Sequence, residues 1–274
     1  MSITNSLNLW PGKAPGSVVA EHAGDERALE VPLLKPFLLD KRATPRPLVI
    51  ILPGGGYGGR AGHEADPIAQ WLNGLGLHAA VCHYRVFPWR HPVPLHDAQR
   101  AVRLVRANAA EWGVDPDRIG ILGFSAGGHL ACSVANFGDD GDTNGDTVAA
   151  ISSRVNALIA CYPVVTMGTV THGGSRTNLL GPEPDPALLH KMSLENTVTP
   201  QNPPSFIWHS ADDQAVPVEN ALIYATALRR AAVPFSLHIY PHAPHGIGLG
   251  RDFPGTAREW TLACATWLHE IEWR

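Results

Sequence analysis

One segment restricts the fold more than any other. The apolar run Ile119-Gly120-Ile121-Leu122 leads directly into Gly123-Phe124-Ser125-Ala126-Gly127, and small and apolar residues follow through Ala135. That is a buried strand, a sharp turn carrying a serine, and a helix over Ala126–Ala135. The glycines two positions either side of Ser125 have a steric reason: a side chain there would strike the neighbouring helix or strand. The bare pentapeptide arises often by chance, and the strand before it and the helix after it are what give it weight.

The rest of the chain repeats the strand–helix alternation. Pro47–Leu52 is a continuous apolar run ended by Pro53-Gly54-Gly55-Gly56, which suits a strand buried on both faces. Helical spacing covers Glu64–Gly74, a strand covers Leu77–Tyr84, and Asp97–Glu111 is the clearest helix. In that helix Ala98, Ala101, Val102, Leu104, Val105 and Ala109 form one stripe, Arg100, Arg103 and Arg106 lie outside it, and Asp97 has the character of an N-cap. Downstream, strands are expected at Val155–Tyr162, Ser205–Ser210 and Phe235–Tyr240, with helices at Val218–Ala231 and Thr256–Ile271. Residues 1–30 read as polar and irregular, Leu29–Leu39 as a first strand or hairpin, and Asp115–Arg118 as a turn. Gly138–Asp146 reads as a polar loop. The pattern is of the α/β class: a mainly parallel sheet with helices on both faces. No repeat or linker divides it, so one domain is expected over 1–274, with 166–204 as an irregular insertion near the site.

Composition narrows the function classes. Hydrophobic residues make up 45% of the chain, enough for a large core, and the net charge is −4 with the basic residues scattered. No Lys/Arg stripe suits a phosphate backbone, so no nucleic-acid partner is expected. No apolar run reaches the roughly 20 residues that cross a bilayer. The N-terminal residues lack the basic and apolar regions of a secretory leader, so the expectation is a cytoplasmic protein with no membrane association. Cys82, Cys132, Cys161 and Cys264 stand singly in apolar stretches without metal-ligand spacing, and read as small buried hydrophobes.

A serine hydroxyl needs a base to become a nucleophile, and the base needs an acid to orient it. Among fourteen histidines, His245 in Pro241-His242-Ala243-Pro244-His245-Gly246 sits on a loop after a strand, and Gly246 lets the backbone turn beside its ring. His242 reads as a loop residue and His129, on the helix after Ser125, as structural. In Ala211-Asp212-Asp213-Gln214-Ala215-Val216-Pro217 either aspartate could face the histidine; Asp213 is preferred, with Asp212 capping the turn. The order Ser125, Asp213, His245 is the order this chemistry takes on a strand-turn-helix serine. Negative charge on a reacting carbonyl needs backbone donors, and Gly55 and Gly56, with the N–H of Ala126, supply them. The glycines lack a Walker lysine and Rossmann spacing, which argues against a phosphate cradle.

These residues resemble a known family. Pro53–Tyr57, His83-Tyr84-Arg85-Val86, Asp115–Gly120, Gly123–Ala131, the Asp213 loop and Pro244-His245-Gly246 are similar to the α/β-hydrolases. Within them the match is to the bacterial carbohydrate-esterase branch, which contains acetyl xylan and feruloyl esterase-like enzymes and is related to the hormone-sensitive-lipase group. Leu9-Trp10-Pro11-Gly12 and Gly174–Gly181 also look like its signature segments, so the resemblance runs along nearly the whole chain. Pro53 stands where the hormone-sensitive-lipase group has histidine before its glycines. The resemblance implies an α/β-hydrolase fold, the triad Ser125–His245–Asp213, no cofactor and no metal. The implied substrate is a small-molecule or oligosaccharide ester, with acetyl esters of xylan-type sugars first. General short-chain carboxylesterase, feruloyl esterase, arylformamidase or peptidase chemistry would use the same triad. A non-catalytic binding module on this fold would instead show a broken triad. Tyr57, Trp89 and His172 are candidates to line an acyl or sugar site, and the absence of a long apolar lid helix argues against a long-chain lipase.

Overall fold

The computed structural model describes residues 5–16 and 31–273; the expectations for residues 1–4, 17–30 and 274 lie outside them. Eight strands form one sheet in the order β1-β2-β4-β3-β5-β6-β7-β8. These are β1 (Leu7–Asn8), β2 (Leu33–Phe37), β3 (Arg46–Leu52), β4 (His78–His83), β5 (Val114–Phe124), β6 (Ala157–Cys161), β7 (Ser205–Ser210) and β8 (Phe235–Tyr240). The pairs β1–β2 and β2–β4 are antiparallel and every pair from β4 across to β8 is parallel.

The unbroken apolar run of β3 has a direct explanation. Leu48, Ile50 and Leu52 enter one core while Val49 and Ile51 enter the other, on the opposite face of the sheet. The first core is covered by α2 (Val93–Ala107), α4 (Ser125–Phe137) and α7 (Glu219–Arg230). The second is covered by α1 (Asp66–Gly74) and α8 (Trp260–Glu270), where Trp208 stacks on Trp260 at 5.4 Å. A strand covered on both faces has no reason to alternate polar and apolar residues. The four cysteines are free and buried. Among the described residues, no helix is long and apolar enough to cross a membrane.

Five expectations need correction. The helix expected over Asp97–Glu111 begins one turn earlier, at Val93 with Pro94 in its first turn, and breaks at Asn108 before the short α3 (Ala109–Trp112); Asp97 caps nothing. Its buried carboxylate accepts from the Arg85 backbone N–H, from Arg85 Nε and Nη2, and from Trp10 Nε1. Arg100, expected outside the apolar stripe, is 3% exposed: it binds Leu9 O and both carboxylate oxygens of Asp146, while Arg103 holds Asp139. The polar loop at Gly138–Asp146 thus covers that face of α2. Asp115–Arg118 lies inside β5, as the irregularity that carries the register from Arg46↔Val114 to Leu48↔Ile119. The segment 166–204 contains α5 (Gly173–Leu180), α6 (Pro186–Met192) and a 3-10 turn at Leu194–Asn196. Glu64 precedes α1 in a separate 3-10 turn, Gly62–Glu64.

Candidate active site

Three strand ends bring the predicted residues together. Ser125 sits where β5 meets α4 with φ 54°, a left-handed conformation that a serine adopts only under constraint. The glycines enforce that turn. A Cβ on Gly123 would overlap the Gly127 carbonyl, and one on Gly127 would overlap the Leu52 carbonyl at the end of β3. Asp213 follows β7, and His245 follows β8 with Gly246 at φ 81° beside it.

A continuous hydrogen-bond chain results. Ser125 Oγ lies 2.8 Å from His245 Nε2, and His245 Nδ1 lies 2.7 Å from Asp213 Oδ2. With the carboxylate accepting from Nδ1–H, Nε2 is left as the acceptor for the serine proton. The other Asp213 oxygen accepts the N–H groups of Ala215 (2.9 Å) and Val216 (3.0 Å), and His209 Nε2 approaches Oδ2 at 3.4 Å. Burial opposes ionisation of Asp213, but the hydrogen bonds from His209, His245 and Val216 win and hold it well below the usual carboxylate range. Asp212 faces the neighbouring His242 at 2.9 Å and accepts Ser210 Oγ–H and Ala243 N–H, so it ties the two loops beside the site.

These groups open on a pocket of about 230 Å³ lined by Gly55, Gly56, Ala61, His63, Glu64, Ser125, His172, His245 and Gly246. Gly55 and Gly56 have φ 135° and 63°. Among the described residues, the N–H groups of Gly55, Gly56 and Ala126 make no hydrogen bond within the protein, whereas the Gly54 N–H is taken by Glu64. Ala126 is also in the first turn of α4, where orphan N–H groups and the helix dipole both favour negative charge. Among the described residues, no group of three or more His, Cys, Asp or Glu side chains is arranged to hold a metal.

Of the three candidate lining residues, only His172 reaches the pocket. Trp89 is 1% exposed and donates to Gly16 O; Tyr57, also 1% exposed, bonds His129 Nδ1 at 2.8 Å. His129 is fully buried, its other nitrogen donates to Met192 O, and burial lowers its pKa to about 4. It anchors the glycine loop through Tyr57, in keeping with a structural role.

Glu64 is the site residue that sequence reading passed over. It is 2% exposed, lines the pocket, and accepts the Gly54 N–H at 2.8 Å and the Tyr162 O–H at 2.6 Å. Burial and then Glu64 push the Tyr162 phenol well above its ordinary range, so it stays a donor. The same phenol oxygen accepts the Gly248 N–H, and the Tyr162 ring meets His245 edge-on at 4.9 Å. Glu64 therefore links the glycine loop to the loop carrying His245. An acidic residue ten positions after the glycines was a signal, but it read as the polar start of a helix.

Similarity to known proteins agrees with this architecture. The sequence pattern of the BD-FAE family matches residues 36–228. The chain is 38% identical over 212 residues to endo-1,4-beta-xylanase B of Butyrivibrio fibrisolvens, covering 76% of this chain and 33% of that protein. It is 36% identical over 211 residues to an acetylxylan esterase of Xylanibacter ruminicola, covering 75% of this chain and 42% of that protein. The chain thus spans well under half the length of these two relatives. Among solved structures, an acetyl ester-xyloside bifunctional hydrolase from Caldicellulosiruptor lactoaceticus superposes with a TM-score of 0.92 at 43% identity, over 98% of this chain and 97% of that one.

Proposed function

The chain belongs to the BD-FAE family of α/β-hydrolases, and from that premise we propose that it is a serine esterase removing small acyl groups, acetyl first, from carbohydrate. The observation that carries the reading is the Asp213–His245–Ser125 chain of hydrogen bonds ending beside uncommitted N–H donors.

Ser125 Oγ attacks the ester carbonyl carbon as its proton passes to His245 Nε2. The C=O π bond becomes an oxyanion, and the N–H groups of Gly55, Gly56 and Ala126 stabilise it. Asp213 stays ionised and stabilises the imidazolium. Collapse of the tetrahedral species expels the alcohol oxygen, which takes the proton from His245, and leaves an acyl-serine. Water then attacks that ester with His245 again as base, releasing the acid and restoring Ser125.

The size of the pocket supports a short acyl group. At about 230 Å³ it lies below the roughly 300–1,000 Å³ of sites for drug-sized ligands. The relatives named as an acetylxylan esterase and as an acetyl ester-xyloside bifunctional hydrolase support a sugar as the alcohol. The test is an acyl-chain series of 4-nitrophenyl esters run beside acetylated xylo-oligosaccharides. Hydrolysis is expected to fall steadily beyond acetyl and propionyl, and acetate is expected to be released from the oligosaccharide. A preference for chains of eight carbons or more, or no release of acetate from the sugar, would overturn this reading.

A further inference from the structure

His172 carries a hydrogen-bond donor that the mechanism above does not use. The residue is the N-cap of α5: its Nδ1 accepts the Ser175 backbone N–H at 3.2 Å and lies 2.8 Å from Ser175 Oγ. A backbone N–H can only donate, so Nδ1 is the unprotonated nitrogen, and the proton of the neutral ring is on Nε2. The helix terminus thereby fixes the tautomer. Among the described residues, Nε2 has no partner within the protein. The ring lines the pocket, with Cε1 3.6 Å from where a Cβ of Gly56 would stand.

The other side-chain donors of the pocket are committed. Ser125 Oγ–H is directed at His245 Nε2, His245 Nδ1–H at Asp213, and His63 Nε2–H at Gly246 O. The backbone donors of Gly55, Gly56 and Ala126 are those that meet the carbonyl oxygen. An acetyl group has no other acceptor. A further fixed donor on a pocket-lining ring has nothing to bind on the acyl side, so the substrate oxygens it can meet are those of the alcohol.

We infer that His172 is a substrate-binding residue whose Nε2–H donates to a ring, ether or hydroxyl oxygen of the sugar, selecting oxygen-bearing alcohols over apolar ones. The inference rests on the carbohydrate-ester reading and specifies which residue performs the selection. Burial and the neighbouring His245 lower the pKa of His172, so it remains a neutral donor at neutral pH. A neutral ring suits an uncharged sugar and adds no second cation beside the imidazolium that forms on His245. Asn178, on the same helix, donates to Gly56 O at 2.9 Å, so α5 holds the glycine loop and presents the donor together.

The experiment compares kcat/KM for a monoacetylated methyl xyloside and for cyclohexyl acetate, which shares the ring size and secondary alcohol but has no oxygen beyond the ester. His172→Asn keeps an acceptor for the Ser175 N–H, and so keeps the cap, while losing the reach of Nε2. His172→Ala loses both. Both variants are expected to lose at least tenfold more kcat/KM on the xyloside acetate than on cyclohexyl acetate, mainly through KM, with Asn retaining the wild-type melting temperature. Equal losses on the two esters, or restoration of the xyloside rate by Asn, would overturn the assignment while leaving the esterase reading intact. A wild-type enzyme with no preference for the xyloside acetate over cyclohexyl acetate would overturn the carbohydrate reading and this assignment together, before any variant is made.

Discussion

Two aspartate–histidine pairs stand side by side between the loops that follow β7 and β8. Asp212 lies 2.9 Å from His242 and Asp213 lies 2.7 Å from His245. Residue types and separations are nearly the same, so neither distinguishes the pair that the proposed mechanism uses. Surroundings do. The side chains of Asp212 and His242 are 46% and 81% exposed; those of Asp213 and His245 are 1% and 21% exposed. In the exposed pair, water competes for every hydrogen bond and screens the charge. In the buried pair, two backbone amides and His209 prepay the desolvation of the carboxylate, and the second imidazole nitrogen meets a serine held at φ 54°. What separates the pair proposed for catalysis from its neighbour is what is packed around it.

The sharpest way to break that comparison is to remove one member from each pair. Asp213→Asn can offer an amide N–H to His245 Nδ1, which places the ring proton on Nε2 and leaves nothing to accept the serine proton. Loss of about 10⁴-fold in kcat is expected, comparable to Ser125→Ala within an order of magnitude or two. Asp212→Asn is expected to cost only a few-fold, because it loosens the loop without changing the tautomer. Steady-state rates on 4-nitrophenyl acetate, with active-site titration by a fluorophosphonate, check both. Equal damage from the two substitutions would mean that the exposed pair is as much a part of the machinery as the buried one.

A middle-sized effect is expected at Glu64, which links the two sides of the site without touching the reacting atoms. Glu64→Ala leaves the Gly54 N–H and the Tyr162 O–H buried without their acceptor, at about 1–3 kcal/mol each. The glycine loop and the His245 loop then lose their common anchor. A drop of about 10- to 100-fold in kcat with a smaller change in KM is expected, together with a lower melting temperature. Glu64→Gln keeps an oxygen for Gly54 and should recover much of the rate. If Gln were as damaging as Ala, the negative charge rather than the anchoring would be what matters.

How far these features were legible in the sequence depends on whether a contact leaves a local trace. Ser125, Asp213 and His245 each stand next to turn residues at the end of an apolar run, so periodicity and punctuation located them. The three are 32 and 88 residues apart along the chain, and the distances that join them are tertiary. Asp97 and Arg100 misled for the opposite reason. On a helix, a charged residue reads as capping or exposed, yet Asp97 is neutralised by Arg85 twelve residues earlier and Arg100 by Asp146 from a distant loop. The helices within 166–204 are short and weakly amphipathic, so their periodicity did not rise above the surrounding Gly and Pro. Glu64 left one local trace, an acid at the start of a helical run, which points to a helix and not to the site. Its partners, Gly54 and Tyr162, lie on two different strand ends, and only the closed sheet brings them within reach.

The smallest expected effect concerns acid. His242, Ser210 and the Ala243 N–H hold the Asp212 carboxyl at about 2, against about 4 in an unfolded chain. A group depressed in the folded state stabilises above its unfolded pKa and loses that contribution as pH falls through the folded value. Asp212→Asn should therefore lower the melting temperature slightly at pH 7, and the gap to wild type should close between about pH 4 and pH 2. Because the pair is exposed, 1 M salt, with a Debye length of about 3 Å, should narrow the gap even at pH 7. The corresponding gap for Asp213→Asn lies in the same acid range, since that carboxyl is also depressed, but should survive salt because its partners are buried with it. Thermal melts across pH at low and high salt give both curves. If salt narrowed the two gaps equally, burial would not be what separates the pairs.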